Sequence, residues 1–317
     1  MKPTHKAHLA LLLVALIYAS NYTIAKAVMP DFIQPFGFIL MRVTAGMVVF
    51  SLVHFFFLKE KVEKKDFLLL AACAMFGVAI NQMMFFKGLN WTTPIHAALI
   101  MTTTPILVLV ASGLIIGELI TKRKVLGVLV GMAGAIMLIA YGQDINAGSE
   151  GWKGDICVFI NASSYGIYLV LVKTLMTKYH PLTVVKWLFT FGWFMVLPFG
   201  IGEFMIIDWS TFPMSIWLAV IYVLIMVTVV AYFLNAYSLK ALNPSVVSTY
   251  IYLQPLLASA ISLLAGKDKL SLVMIMAGIL IFLGVYLVSS WNPNVKSKNR
   301  IDFDKSDNKR EQVSSSE

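Results

Sequence analysis

Charge is scarce in this chain. Only 13% of its 317 residues are Asp, Glu, Lys or Arg, while 59% are aliphatic, aromatic, Met or Cys, and the mean hydropathy is +0.81. Soluble domains carry about 25% charged residues, so a water-soluble globular class is excluded, together with a disordered or nucleic-acid-binding chain. Cysteine is nearly absent too. Cys73 and Cys157 both lie inside apolar runs, which leaves neither a disulfide framework nor a ligand set for a metal. No metal or other cofactor is expected, and both thiols read as inert core residues. Motifs for chemistry are missing as well. There is no Gly-x-Ser-x-Gly, no His-Glu-x-x-His, no aspartate pair at membrane depth and no Gly-rich phosphate loop. An integral membrane enzyme and an ATP-driven pump are therefore set aside, and no loop is long enough to form the partner-binding domain of a receptor.

What the sequence has is long apolar runs. About 20 such residues cross the hydrocarbon layer of a bilayer, and ten runs qualify: 8–29, 33–58, 67–87, 93–116, 123–141, 152–175, 182–204, 213–238, 244–265 and 271–290. The first, behind Lys2 and Lys6, has the look of a signal peptide, but it stays apolar through Met29 and reads as a permanent helix. With the N-terminus inside, eighteen of the 25 Lys and Arg fall on the cytoplasmic side, as the positive-inside rule requires. The net charge of +9 then needs no nucleic-acid partner. The expected class is an all-α integral protein of the inner or plasma membrane, with both termini cytoplasmic. Residues 291–317, mixed in charge and rich in Ser, are expected to form a disordered cytoplasmic tail.

The two halves of the chain repeat one another. Pro94 and Pro105 are 11 residues apart, as are Pro244 and Pro255 at an offset of 150, which also places Leu89 on Leu239, Glu118 on Asp268 and Gly134 on Gly284. Tyr18 matches Tyr165 and Lys26 matches Lys173 at an offset of 147. Each half, 8–141 and 152–290, then holds five spans, and a unit with an odd number of crossings must reappear upside down. Inverted repeats with a site between them near the midplane are a transporter architecture.

These residues also carry a resemblance. The segment Tyr18-Ala19-Ser20-Asn21-Tyr22…Lys26, Pro35…Arg42, and Pro94…Pro105…Gly117-Glu118…Gly127…Gly134 with its second copy resemble the EamA family of the drug/metabolite transporter superfamily. The resemblance covers about 8–290 and implies a ten-helix inverted-repeat transporter, often an exporter of amino acids or other small metabolites. Tyr18 and Tyr165 stand where the family pattern usually has tryptophan.

Polar side chains at membrane depth usually face a cavity or one another. The expected substrate-binding set is Asn21, Lys26, Arg42, Asn81, Gln82, Thr103, Tyr165, Tyr168, Tyr250 and Gln254, with Pro105 and Pro255 as hinges or tolerated kinks. Lys26, Lys173 and Lys186 lie near helix ends, where a lysine also snorkels to the headgroups. Arg42 is deeper, roughly 12 Å from the start of its span by helical rise. No acidic residue lies in the middle of a span, so Arg42 suits a substrate bearing a carboxylate or another anionic group. The reading is a secondary alternating-access transporter exporting small polar metabolites such as amino acids or organic anions. Efflux of drugs or cations is the alternative, since the aromatics and 17 methionines could line an adaptable apolar cavity. The partners are a small-molecule substrate and the lipid bilayer, and the chain is a monomer or homodimer. The Gly127, Gly131, Gly134 face of the fifth span serves internal packing or a dimer contact.

Overall fold

The computed structural model describes residues 3–140, 151–264 and 271–289. The expected tail and Asp268 lie outside them. Among the described residues there is no strand, and the long helices are α1 (Pro3–Val28), α2 (Pro35–Phe57), α3 (Phe67–Ala74) continuing into α4 (Ile80–Trp91), α5 (Pro94–Met101), α6 (Thr104–Ile116), α7 (Lys122–Ala140), α8 (Gly151–Lys178) and α9 (Pro181–Met205). They are followed by α10 (Met214–Tyr222) running into α11 (Ala231–Ala241), α12 (Pro244–Thr249), α13 (Leu253–Leu264) and α14 (Leu272–Ser289). Nine helical runs among the described residues are long and apolar enough to cross a membrane. The run expected at 244–265 is instead divided into α12, a tight 3-10 turn at Tyr250–Tyr252, and α13.

Proline sets several starts. Pro35, Pro94, Pro181 and Pro244 each occupy the first turn of a helix behind an extended residue, where the missing N–H costs nothing and the fixed φ is already helical. Thr93 caps α5 by accepting the His96 N–H at 3.2 Å. In α2 and α9 the caps come from afar and are reciprocal. Glu203 Oε2 accepts the N–H groups of Phe36 and Gly37 at 2.6 and 2.9 Å, and Glu60 Oε2 accepts that of His180 at 2.9 Å. Each carboxylate beside one helix thus satisfies the free donors and the positive end of the other.

Side chains point outward in a way water would not allow. Phe55, Phe56, Phe57, Leu114, Met205, Ile206 and Phe282 are exposed, and a belt of this kind faces lipid. Inside, α2 packs along α9 and α7 along α14, while α4 lies on α8 as α11 lies on α1. The α7–α14 contact rests on glycine. A Cβ on Gly284 would stand 2.5 Å from Gly131 N and 2.7 Å from Gly127 O, so the two backbones touch. The small-residue face of 127–134 is therefore an internal contact. Gly117, in the left-handed region at φ 64, ends α6 and lets the Glu118 N–H reach back to Ser112 O at 3.0 Å. The chain then turns so that Glu118 and Lys124 form an ion pair at 2.7 Å with side chains only 5% and 4% exposed.

Candidate functional site

A cavity of about 110 Å³ lies at the middle of the bundle, walled by α1, α2, α4, α8, α11 and the broken segment α12–α13. Two irregular stretches flank it. Residues Met75–Ala79, joining α3 to α4, and Val223–Val230, joining α10 to α11, are wound as π-helix. Such a turn widens the helix and leaves carbonyls without their usual partner, a feature frequent at functional sites. One is answered directly: the Tyr232 hydroxyl donates to Gly77 O at 3.1 Å and accepts from Gln82 Nε2 at 3.0 Å.

The wall has one cation. Arg42, 3% exposed, donates from Nε to Thr228 Oγ1 at 3.0 Å, and its guanidinium carbon stands 4.8 Å from the ring centre of Phe86. Thr228 is fixed in turn by donating to Val223 O at 3.0 Å, within the second π stretch. Among the described residues no carboxylate lines the cavity, so Arg42 has no anionic partner there. Amides and phenols make up the rest of the polar wall. Asn161 Nδ2 donates to Asn81 O at 2.7 Å and Asn81 Nδ2 answers weakly to Asn161 O at 3.4 Å, a clasp between α4 and α8. Asn235 Nδ2 donates to the Tyr18 hydroxyl at 3.3 Å. The side-chain amide oxygens Asn21 Oδ1, Gln82 Oε1 and Asn161 Oδ1, all on wall residues, have no hydrogen-bond partner.

Seven of the residues expected from sequence border this cavity: Asn21, Arg42, Asn81, Gln82, Tyr165, Tyr250 and Gln254. Three do not. Lys26 does not line the cavity; its Nζ donates to Leu89 O at 3.0 Å, near the end of α4. Lys173 does the same for α11, donating to Leu239 O at 2.6 Å and Leu242 O at 2.8 Å. Both lysines cap a helix C-terminus. Thr103 spends its hydroxyl on Ile100 O at 2.7 Å. The ring of Tyr168 fills the space beside Gly77, whose missing side chain makes room for it. Sequence reasoning passed over Asn161 and Tyr232. Tyr232 was within reach of it, because it stands 150 residues after Gln82, at the offset of the repeat. Pro105 and Pro255 sit in the first turns of α6 and α13, just past the two breaks.

Among the described residues no group of three His, Cys, Asp or Glu is placed to hold an ion. Membrane-length helices around a cavity whose described lining holds one buried cation define a class of protein, a multi-pass membrane protein. The chain belongs to the EamA-like transporter family, whose model matches it twice, over residues 5–140 and 152–290. It is 26% identical over 288 residues to an uncharacterized transporter of Archaeoglobus fulgidus, covering 90% of this chain and 98% of that one. The uncharacterized transporter YyaM of Bacillus subtilis is 22% identical over 260 residues, 80% of this chain and 85% of its own. A WAT1-related protein of Arabidopsis thaliana is 24% identical across 90% of this chain and 86% of that one. A crystal structure with 20% identity shares the fold, with a TM-score of 0.71 over 92% of this chain and 99% of the other. The protein is thus a membrane transporter.

Proposed function

We propose that the protein is a secondary transporter that carries small metabolites with an anionic group, such as amino acids or organic anions, by alternating access, in the export direction that the sequence resemblance implies. The observation that carries this reading is Arg42: a buried guanidinium at the wall of the chamber, which no carboxylate among the described residues lines. A buried charge without a partner is costly, and a substrate carboxylate would supply the partner through a charge-assisted hydrogen bond. The chamber's size points the same way. At about 110 Å³ it is well below the roughly 300–1,000 Å³ of pockets for drug-sized ligands, and a cationic drug would meet repulsion from Arg42.

Alternating access draws support from the correspondence of the halves 8–141 and 152–290. Lys26 and Leu89 O have their counterparts in Lys173 and Leu239 O, offset by 147 and 150 residues. The π stretches at 75–79 and 223–230 correspond, as do the breaks before Pro105 and Pro255. The α4–α8 contact is matched by α11–α1, and α6–α8 by α13–α1. An inverted pair of this kind, with both termini on the cytoplasmic side of the inner or plasma membrane, would rock about the chamber with the two proline-bearing breaks as hinges. Comparing metabolites outside cells that overproduce the protein, its Arg42→Ala variant, or neither tests the proposal. Amino acids or organic anions should accumulate only with the unaltered protein; tolerance of toxic cations without any such accumulation would overturn it.

A further inference from the structure

One bond in the chamber's wall leads away from the chamber. Arg42 borders the cavity, but Thr228, which accepts its Nε–H at 3.0 Å, is fully buried and does not. The guanidinium is thereby held at one edge from behind the wall. Phe86 covers one of its faces, with the ring centre 4.8 Å from Cζ, and is itself fixed edge-on by Phe38 at 5.9 Å and Phe85 at 5.3 Å. Thr228 cannot turn its hydroxyl hydrogen toward Arg42. That hydrogen goes to Val223 O at 3.0 Å, so Nε meets only lone pairs. A guanidinium can grip a carboxylate with two donors in either of two ways, through Nη1 and Nη2 at its end or through Nε and one Nη at its side. With Nε engaged, the side is spent and the end remains. Neither Nη is hydrogen-bonded to another of the described residues.

The hydroxyl of Thr228 could instead serve the π stretch in which it sits. The other half of the chain argues against that. Arg42 is matched by Leu188 at an offset of 146, which also places Pro35 on Pro181 and Gly46 on Gly192, and Thr228 is matched by Val78 at an offset of 150. The packing corresponds as well, α2 lying on the 223–230 stretch as α9 lies on 75–79, and Leu188 and Val78 are both fully buried. The first π stretch is wound with valine where the second has threonine, so the winding does not require the hydroxyl. The hydroxyl goes with the guanidinium: a polar pair stands in one place of the repeat and an apolar pair in the other. We propose that Thr228 is the positioning residue of the site, holding Arg42 by Nε so that Nη1 and Nη2 receive the substrate's carboxylate end-on. The proposal rests on the anionic-substrate reading above and adds to it the way the anion is gripped. It also makes the grip one-sided, because Leu188 and Val78 supply no donor or acceptor from the corresponding place.

Arginine-selective 15N labelling reads the grip directly, because the chain has four arginines, Arg42, Arg123, Arg300 and Arg310. The side-chain signals that vanish in Arg42→Lys belong to Arg42. Acetate, a minimal carboxylate, is titrated as the probe into the full chain in detergent, against chloride at equal ionic strength. In the unaltered protein the Nη resonances of Arg42 should move with acetate, while Nε–H stays where Thr228 holds it. In Thr228→Val, exchange of Nε–H with water should quicken by about tenfold or more, the loss of one bond to a charged group. Its resonance should then follow acetate, because the side of the guanidinium has been freed. Thr228→Ser keeps the acceptor and should behave as the unaltered protein does, which separates loss of the bond from loss of packing. If Thr228→Val does not fold, the other two proteins still decide, since Nε–H must be protected and unmoved by acetate in both. Nε–H moving with acetate as far as Nη in the unaltered protein, or Thr228→Val indistinguishable from it, overturns the positioning role alone. If acetate moves no Arg42 resonance in any of these proteins, the anionic-substrate reading itself fails and the proposal falls with it.

Discussion

Adding one methyl group should have opposite effects at two glycines of this protein. At Gly284 a Cβ would stand 2.5 Å from Gly131 N, 2.6 Å from Gly131 Cα and 2.7 Å from Gly127 O, all backbone atoms that no rotamer change can move. Ordinary contact begins near 3.4 Å, so α14 must retreat from α7 by about 0.9 Å. A gap of 0.5–1 Å forfeits roughly a quarter to a half of each dispersion contact, and overpacking of this kind costs about 1–3 kcal/mol. Because the obstruction is backbone, Gly284→Ala should fall at the upper end. At Gly202, inside α9, nothing lies within 4 Å of the added atom, and Gly202→Ala should be neutral or stabilising by up to about 1 kcal/mol through helix propensity alone. Thermal unfolding of the two variants in the same detergent, followed by intrinsic fluorescence and by size exclusion, separates the cases. Equal melting of Gly284→Ala and the unaltered protein would refute the claim that glycine sets the α7–α14 distance.

Other contacts yield further expectations. Lys173→Met removes two bonds to the carbonyls of Leu239 and Leu242, and Lys26→Met one to Leu89; at about 1.5–3 kcal/mol for a bond to a charged group, Lys173→Met should lower the melting temperature more, and the reverse order would contradict the capping role. Breaking the buried Glu118–Lys124 pair by Lys124→Met should cost about 3–5 kcal/mol, while Glu118→Gln with Lys124→Met together should cost less than the single change; a double variant worse than either single one would show that the pair is not what couples them. Glu203→Ala, which strips the N-terminus of α2 of its cap, should cost about 0.5–2 kcal/mol in the same melting assay.

Much of this protein is legible in its sequence because a bilayer imposes few solutions. A run such as Pro181–Met205 can only be a helix, since in lipid its backbone must bond to itself, and Pro35, Pro94, Pro181 and Pro244 mark where helices begin. The breaks near Thr103 and Tyr252 could be anticipated from Pro105 and Pro255. The π stretches could not, for Met75–Ala79 and Val223–Val230 have no proline or unusual composition, and their geometry follows from contacts across the bundle such as Tyr232 on Gly77. The same limit governs the site. Asn21 and Arg42 are costly enough in lipid to declare themselves, but whether a polar group faces the chamber or a carbonyl depends on partners far off in the chain. Lys26 finds Leu89, 63 residues away, and nothing in its local sequence says so.

Arg42 is the most direct test of the account. Arg42→Lys and Arg42→Gln, reconstituted in liposomes beside the unaltered protein, should be compared for exchange of labelled amino acids and organic anions against the same solute inside. With a substrate anion held on the guanidinium, Arg42→Gln should reduce exchange by at least about tenfold, and Arg42→Lys should recover part of it because the charge remains while the fork of donors is lost. Exchange of those solutes at the unaltered rate by well-folded Arg42→Gln protein would contradict the assignment of the chamber to anionic substrates.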